Sequence, residues 1–231
     1  MVNGSFEEYS KCNCDDGEID FSIGWFQQVG STDYYNACCK RKNLTRVPFN
    51  KSGFQQPFGI GNAYAGLFLF YHEKKDRSNG YFNREYLHTK FREPLEANRK
   101  YLISFYYSMA DSSVFYTDHF SVNLSREKTL KYYDGMEDVL IGEHMLSEKV
   151  GKVDAMDTVN WHKVEFQYLS KGKEEYLTVG FFKSDLSKRG FQSIVEKNRL
   201  RKTNTFENAC YYYIDNVSVV PMKVKEEFSH Q

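Results

Sequence analysis

The residues best suited to chemistry in this sequence are amides, acids, an arginine and tyrosines, set in polar stretches between apolar ones. Gln55, Gln56, Asn62, the run Arg84-Glu85-Tyr86, and Asp111, Tyr116 and Asp118 form that set. Amide, carboxylate and guanidinium groups pair with adjacent hydroxyls, and a flat aromatic ring stacks on the C–H face of a sugar. The set therefore points to carbohydrate binding. These residues fall at strand ends or in loops, where binding residues concentrate. For any single tyrosine, strand packing with the hydroxyl in water is the plainer role, since the chain holds 18 of them. Arg84 beside Glu85 likewise reads as a cross-strand ion pair of little energetic weight.

Catalytic chemistry finds less support. A glycosidase needs two carboxylates facing each other across a cleft. Glu85, Asp111 and Asp118 could supply them, but with 31 acidic residues in the chain such a choice is weak evidence. No G-x-S-x-G elbow, H-E-x-x-H pair or phosphate loop occurs. Of the six histidines none stands four residues from another, and His88 and His119 read as solvated strand residues. The expectation is a binding module and not an enzyme.

Composition narrows the partners. Lys plus Arg and Asp plus Glu each number 31, so the formal net charge is zero. A neutral chain has no general attraction to nucleic acid or anionic lipid. No apolar run reaches the roughly 18 residues expected of a membrane-spanning helix. The opening Met1-Val2-Asn3-Gly4-Ser5 lacks the basic start and apolar core of a signal peptide. The chain is thus either cytoplasmic or the mature form of an exported protein. Its five cysteines bear on that choice: Cys12, Cys14, Cys38, Cys39 and Cys210. Their spacing fits no common zinc pattern. A cross-link such as Cys12–Cys38 would staple the N-terminal loop, with free thiols as the alternative. Cys210, beside a strand, reads as a buried small hydrophobe.

The elements that position these residues are strands. Aromatics make up 17% of the chain, a choice that favours extended structure. Strand patterns cover 63–71, 86–91, 101–108, 120–124, 161–168, 175–182 and 211–219, separated by turn-forming polar stretches. Helical periodicity with caps is nearly absent. The mixed stretch 130–159 reads as strands and loops, and the basic stretch 187–202 as a long loop. Strands without intervening helices imply antiparallel pairing, hence an all-β sandwich or barrel. The expectation is one domain over residues 1–222, followed by a tail or linker at 223–231. Asn3, Asn43, Asn50, Asn123 and Asn216 each begin an N-x-[ST] triplet. With Asn123 and Asn216 inside strands, these read as chance.

Both chain ends carry a more specific signal. Asn3-Gly4-Ser5-Phe6-Glu7 opens the chain, Gly24-Trp25 follows, and Tyr213-Ile214-Asp215-Asn216-Val217-Ser218-Val219 closes it. This arrangement resembles carbohydrate-binding modules with the galactose-binding-like jelly-roll fold. The resemblance implies an antiparallel jelly-roll β-sandwich with its first and last strands side by side. It also implies a structural calcium held by the carboxylates of Glu7 and Asp215 with backbone carbonyls. In the middle, Asp33-Tyr34-Tyr35-Asn36-Ala37-Cys38, Gly53-Phe54-Gln55-Gln56-Pro57 and Gly61-Asn62-Ala63-Tyr64-Ala65-Gly66 occur in order, followed by residues 84–90 and 108–118. This succession is similar to a domain of Bacteroidota surface proteins, found with OmpA-like domains or in proteins linked to type IX secretion and gliding. It implies an extracytoplasmic module, at the cell surface, on the outer membrane or secreted. Its partners would be a carbohydrate, a cell-envelope glycan or other surface proteins. The basic stretch 183–202 departs from that pattern by its length.

Overall fold

The computed structural model describes residues 3–12, 14–41, 44–72, 82–128, 130–133, 136–182 and 209–223. The stretch 187–202 and the tail from 224 onward, both expected to be irregular, lie outside those residues. The first strands are Trp25–Phe26 (β1), Asp33–Asn36 (β2), Phe49–Asn50 (β3), Gly53–Phe54 (β4) and Ala63–His72 (β5). Next come Phe82–Asn83 (β6), Leu87–Lys90 (β7), Lys100–Met109 (β8), His119–Ser125 (β9), Lys131–Tyr133 (β10) and Met136–Ile141 (β11). The chain closes with His144–Lys149 (β12), His162–Leu169 (β13), Tyr176–Gly180 (β14) and Ala209–Pro221 (β15). A 3-10 turn at Ile19–Phe21 and a single helical turn at Lys152–Ala155 complete the described elements.

One sheet, A, runs β1-β7-β14-β9-β12, and the other, B, runs β13-β8-β15-β5-β2 with β6 added on β5. Eight of these strands, β5, β7, β8, β9, β12, β13, β14 and β15, wind between the sheets. Numbered one to eight in chain order, they stand 2-7-4-5 in sheet A and 1-8-3-6 in sheet B. All their pairings are antiparallel. That order defines a jelly-roll β-sandwich.

Strand β13 shows how sequence pattern becomes a layer. Val164, Phe166 and Tyr168 point into the sandwich, while Lys163, Glu165 and Gln167 face out. Between the sheets, Phe105 and Tyr212 each meet Phe120 edge to face, at 5.9 and 5.1 Å. Sheet B departs from simple alternation. All four residues of β2 are buried, as are Ala209 through Asp215 of β15. Tyr212 faces the core and its neighbours Tyr211 and Tyr213 face away, yet all three are buried. The outer side of sheet B must therefore be covered as well.

The cysteines staple the segment before β2 to the segment after it. Cys12 is joined to Cys38 and Cys14 to Cys39, while Cys210 is a buried free thiol. The two bridges close nearly the same loop, spanning 26 and 25 residues. Closing one such loop restricts the unfolded chain by about 3 kcal/mol, and a second, almost parallel closure adds little. Opening either bridge alone by a Cys→Ser pair is therefore expected to lower the melting temperature slightly. Opening both should destabilise by about 3 kcal/mol. Equal, additive losses in the two pairwise variants would contradict this reading.

Glu85, just ahead of β7, ties the sheets together. Its Oε2 accepts the Phe68 N–H of sheet B at 2.8 Å, and its Oε1 accepts the N–H and hydroxyl of Ser31, both at 3.0 Å. Burial raises this carboxyl from an ordinary 4.5 to about 7, with the charge of Asp33 acting in the same direction. The folded state thus prefers the neutral acid. That contribution is complete below pH 4.5 and is lost as pH rises through 7, at an overall cost of about 3 kcal/mol. Between pH 4.5 and 7 the parent should lose thermal stability more steeply than Glu85→Gln, which has no proton to lose. Parallel melting curves across that window would refute the assignment.

Candidate functional site

The outer face of sheet B carries four tyrosines, Tyr35, Tyr64, Tyr211 and Tyr213, all fully buried. Their rings pack tightly: Tyr35 stacks on Tyr64 at 5.1 Å, and Tyr213 stands edge-on to both at 5.4 and 5.1 Å. Their hydroxyls do not reach water, contrary to the plain expectation for strand tyrosines. The reason is a roof formed by residues 44–58. Asn50 donates its amide to the Tyr64 hydroxyl at 3.0 Å and accepts from the Tyr213 hydroxyl at 2.9 Å. Tyr64 in turn donates to the carbonyl of Gln55 at 3.0 Å. The roof then crosses the sheet step by step. The Gln55 amide donates to the Ser108 hydroxyl, the Gln56 carbonyl accepts the Trp161 indole N–H at 2.8 Å, and Phe58 stacks on Tyr106 at 3.7 Å.

On top of this roof, the β3–β4 hairpin presents a platform. Phe49 and Phe54 meet edge to face at 4.7 Å and are 64% and 41% exposed. Exposed phenylalanines are costly to leave in water, so this pair at the open end of the hairpin is a feature to explain. The hairpin is fastened by Asp111, whose Oδ2 accepts the Phe54 N–H at 2.9 Å. Gly53 has φ +134°, and a Cβ there would fall 2.5 Å from the same Asp111 oxygen. Only glycine permits this approach. Gln56 is exposed and Trp161 half-buried, with the Trp161 indole N–H on the Gln56 carbonyl two residues along the roof from Phe54.

The structure thus brings Gln55, Gln56 and Asp111 together, with Gln55 serving beneath the roof and the other two near its surface. The remaining expected ligand residues lie elsewhere. Asn62 turns toward Glu7, donating its backbone N–H to Oε1 at 2.7 Å. Arg84 and Tyr86 are buried and both donate to the Phe181 carbonyl at 3.0 Å, so Arg84 does not form the surface pair expected with Glu85. Tyr116 is buried with the Lys152 ammonium 5.6 Å from its ring centre. Asp118 pairs with His119 at 2.7 Å. His88, expected to be solvated, is instead buried against Phe26, and its Nδ1 lies 3.0 Å from the Thr178 hydroxyl. Burial lowers it to about 4, so it is a neutral ring at physiological pH. Trp161, Phe49 and Phe54 were not singled out as site residues. No local signal marks them, because their exposure follows from where the roof lies.

At the chain ends, Val217 N–H donates to the Gly4 carbonyl at 2.8 Å, so the first residues lie against the last strand. Glu7 accepts the backbone N–H groups of Asn62 and Ala63 at 2.7 and 3.1 Å. Asp215 is buried and accepts from Phe58 and Asn216. Burial raises its carboxyl to about 8, opposed by those two N–H donors, and the nearby Glu7 charge adds to the rise. Among the described residues, no three His, Cys, Asp or Glu side chains converge as a metal set. An ion here would take two carboxylates and complete its shell with backbone oxygens. Glu7 acts on Asp215 through its charge, and the oxygens of both carboxylates also accept backbone N–H groups.

No protein-family model matches the chain, and no curated protein sequence matches it. Solved structures of similar shape are found. The K1 cleaved adhesin domain of Lys-gingipain from Porphyromonas gingivalis W83 is 12% identical, over 95% of this chain and 96% of that one, with TM-score 0.42. A CBM4 structure is 14% identical, over 96% and 99%, with TM-score 0.39. The CBM22-1 xylan-binding domain of Paenibacillus barcinonensis Xyn10C is 14% identical, over 96% and 93%, with TM-score 0.41. The fold assignment rests on the strand order itself: the chain is a jelly-roll β-sandwich.

Proposed function

We propose that this chain is an extracytoplasmic, non-catalytic module that binds carbohydrate on the roof platform, at a cell surface or as a secreted protein. The observation that carries the reading is the exposed Phe49–Phe54 pair, packed edge to face on a hairpin that Asp111 fastens, with Trp161 bonded to Gln56 two residues further along. Rings supply stacking faces and the amide and carboxylate supply paired hydrogen bonds, the combination that sugar recognition requires. A carboxylate at the platform favours a neutral glycan over an acidic one. Two disulfides support an oxidising compartment. Absence of turnover is supported by the acids themselves. Glu85 is sealed by its three donors, and Asp111 and Asp118, both in the β8–β9 connection, are spent on the Phe54 N–H and on His119. A calcium between Glu7 and Asp215 would be structural, neutralising the buried acid and fastening the chain ends.

The binding test is a glycan array followed by titration of the best neutral hit. Phe49→Ala and Phe54→Ala should each weaken binding by roughly 2- to 10-fold, the worth of one aromatic contact. As both rings are exposed, melting should stay within about 0.5 kcal/mol of the parent. Unchanged affinity in both variants would move the site elsewhere, and capture of surface proteins with an empty array would favour an adhesion role.

The calcium has its own measurement. Adding the ion at about 100 times its dissociation constant should stabilise the chelated protein by about 2.7 kcal/mol. Glu7→Gln should abolish that gain. Melting indifferent to both chelator and calcium would remove the ion from the reading.

A further inference from the structure

Beneath the roof, Lys51 reaches into a set of groups that structural support of a loop does not require. Its ammonium lies 3.0 Å from Oδ1 of Asp33 and 2.8 Å from Oδ1 of Asp16. The two acids differ in kind. Asp33 is 2% exposed, whereas Asp16 is 62% exposed. Donors cover both oxygens of Asp33: the Gly17 N–H at 2.7 Å on Oδ1, and the hydroxyls of Tyr211 and Tyr35 on Oδ2. The backbone carrying the amine is fixed on each side. Lys51 N–H donates to the Leu44 carbonyl at 3.0 Å, and Asn50 accepts the Ser52 N–H while gripping Tyr64 and Tyr213. The Asp33 carboxyl is held above its ordinary range by burial, against the lowering effect of the Lys51 charge.

From this geometry we infer that Lys51 and Asp33 join covalently, as an isopeptide amide linking the roof to strand β2. The groups needed are in place. The Asp16 carboxylate accepts one proton from the Lys51 ammonium and passes it to the leaving oxygen. The freed amine attacks Cγ of Asp33, forming the C–N bond. Charge developing on the carboxyl oxygens meets the Gly17 N–H and the tyrosine hydroxyls. One C–O bond then breaks, and that oxygen leaves as water with the two protons the amine has shed. Ammonium plus carboxylate becomes amide plus water, with no change of oxidation state and no co-reactant. A condensation unfavourable between free molecules becomes accessible when both partners are held at contact in a site largely closed to water.

Mass spectrometry of the full chain, reduced and denatured, tests this directly. The expected mass is the sequence mass less one water. Digestion should yield a branched peptide joining the segments around residues 33 and 51. Lys51→Arg keeps the charge and the ion pair but should restore the full mass, and Asp16→Asn should slow the loss of water in freshly made protein. Asp16-Gly17 can also shed water by closing to a cyclic imide, but that loss would persist in Lys51→Arg and leave no branched peptide. Parent protein that stays at full mass after long incubation, or a water loss unaffected by Lys51→Arg, would overturn the assignment.

Discussion

Buried phenol hydroxyls set the terms for this molecule. A hydroxyl removed from water without a partner costs on the order of 1–3 kcal/mol, and four tyrosines meet that condition together on one sheet. The rings are favourable to bury, but only if every hydroxyl is answered. Asn50, the Gln55 carbonyl and Asp33 answer them. The partners come from three separate elements: a hairpin, a crossing loop and an edge strand. The path of residues 44–58 is thus dictated from below. Its upper side, with the phenylalanine pair, is a consequence of how its lower side is satisfied.

Much of the layer structure was legible in the sequence, since a strand buried on one face writes its burial as alternation. Within β13, Lys163 to Tyr168 shows this, with polar and apolar residues exchanging at every step. The long patterns at 63–71, 101–108 and 211–219 correspond to β5, β8 and β15, whose ends the structure extends by one or two residues. The paired chain ends were legible too, as motifs. Less legible was that sheet B is covered on both sides. Tyr211-Tyr212-Tyr213 has the same composition whether its outer rings meet water or a loop, and nothing local separates the two cases.

The site was harder to read for the same reason. Gln55 and Gln56 are identical neighbours, yet one lies under the roof and the other on it. Their difference arises from a chain crossing set by Ser108 and Trp161, more than fifty and a hundred residues away. Arg84 and Glu85 resemble a surface pair by type, but each is drawn inward by backbone groups of another strand. Residue type names the hydrogen bonds a side chain can make. Topology decides which partner arrives first.

The way the ends are fastened gives the domain a direction under tension. A pull on the N-terminal side would release Asn3 from Ile23 and Trp25, then Gly4 from Val217, Phe6 from Tyr34 and Glu7 from Asn62, before the chain straightens toward Cys12. There it meets the bridge to Cys38, after roughly 30 Å of slack at about 3.5 Å per residue. The C-terminal side yields differently, because β15 lies between β5 and β8 and is hydrogen-bonded along both edges. Force along that strand must shear many bonds at once instead of peeling them singly. One end therefore behaves as a short tether with a stop and the other as an anchor.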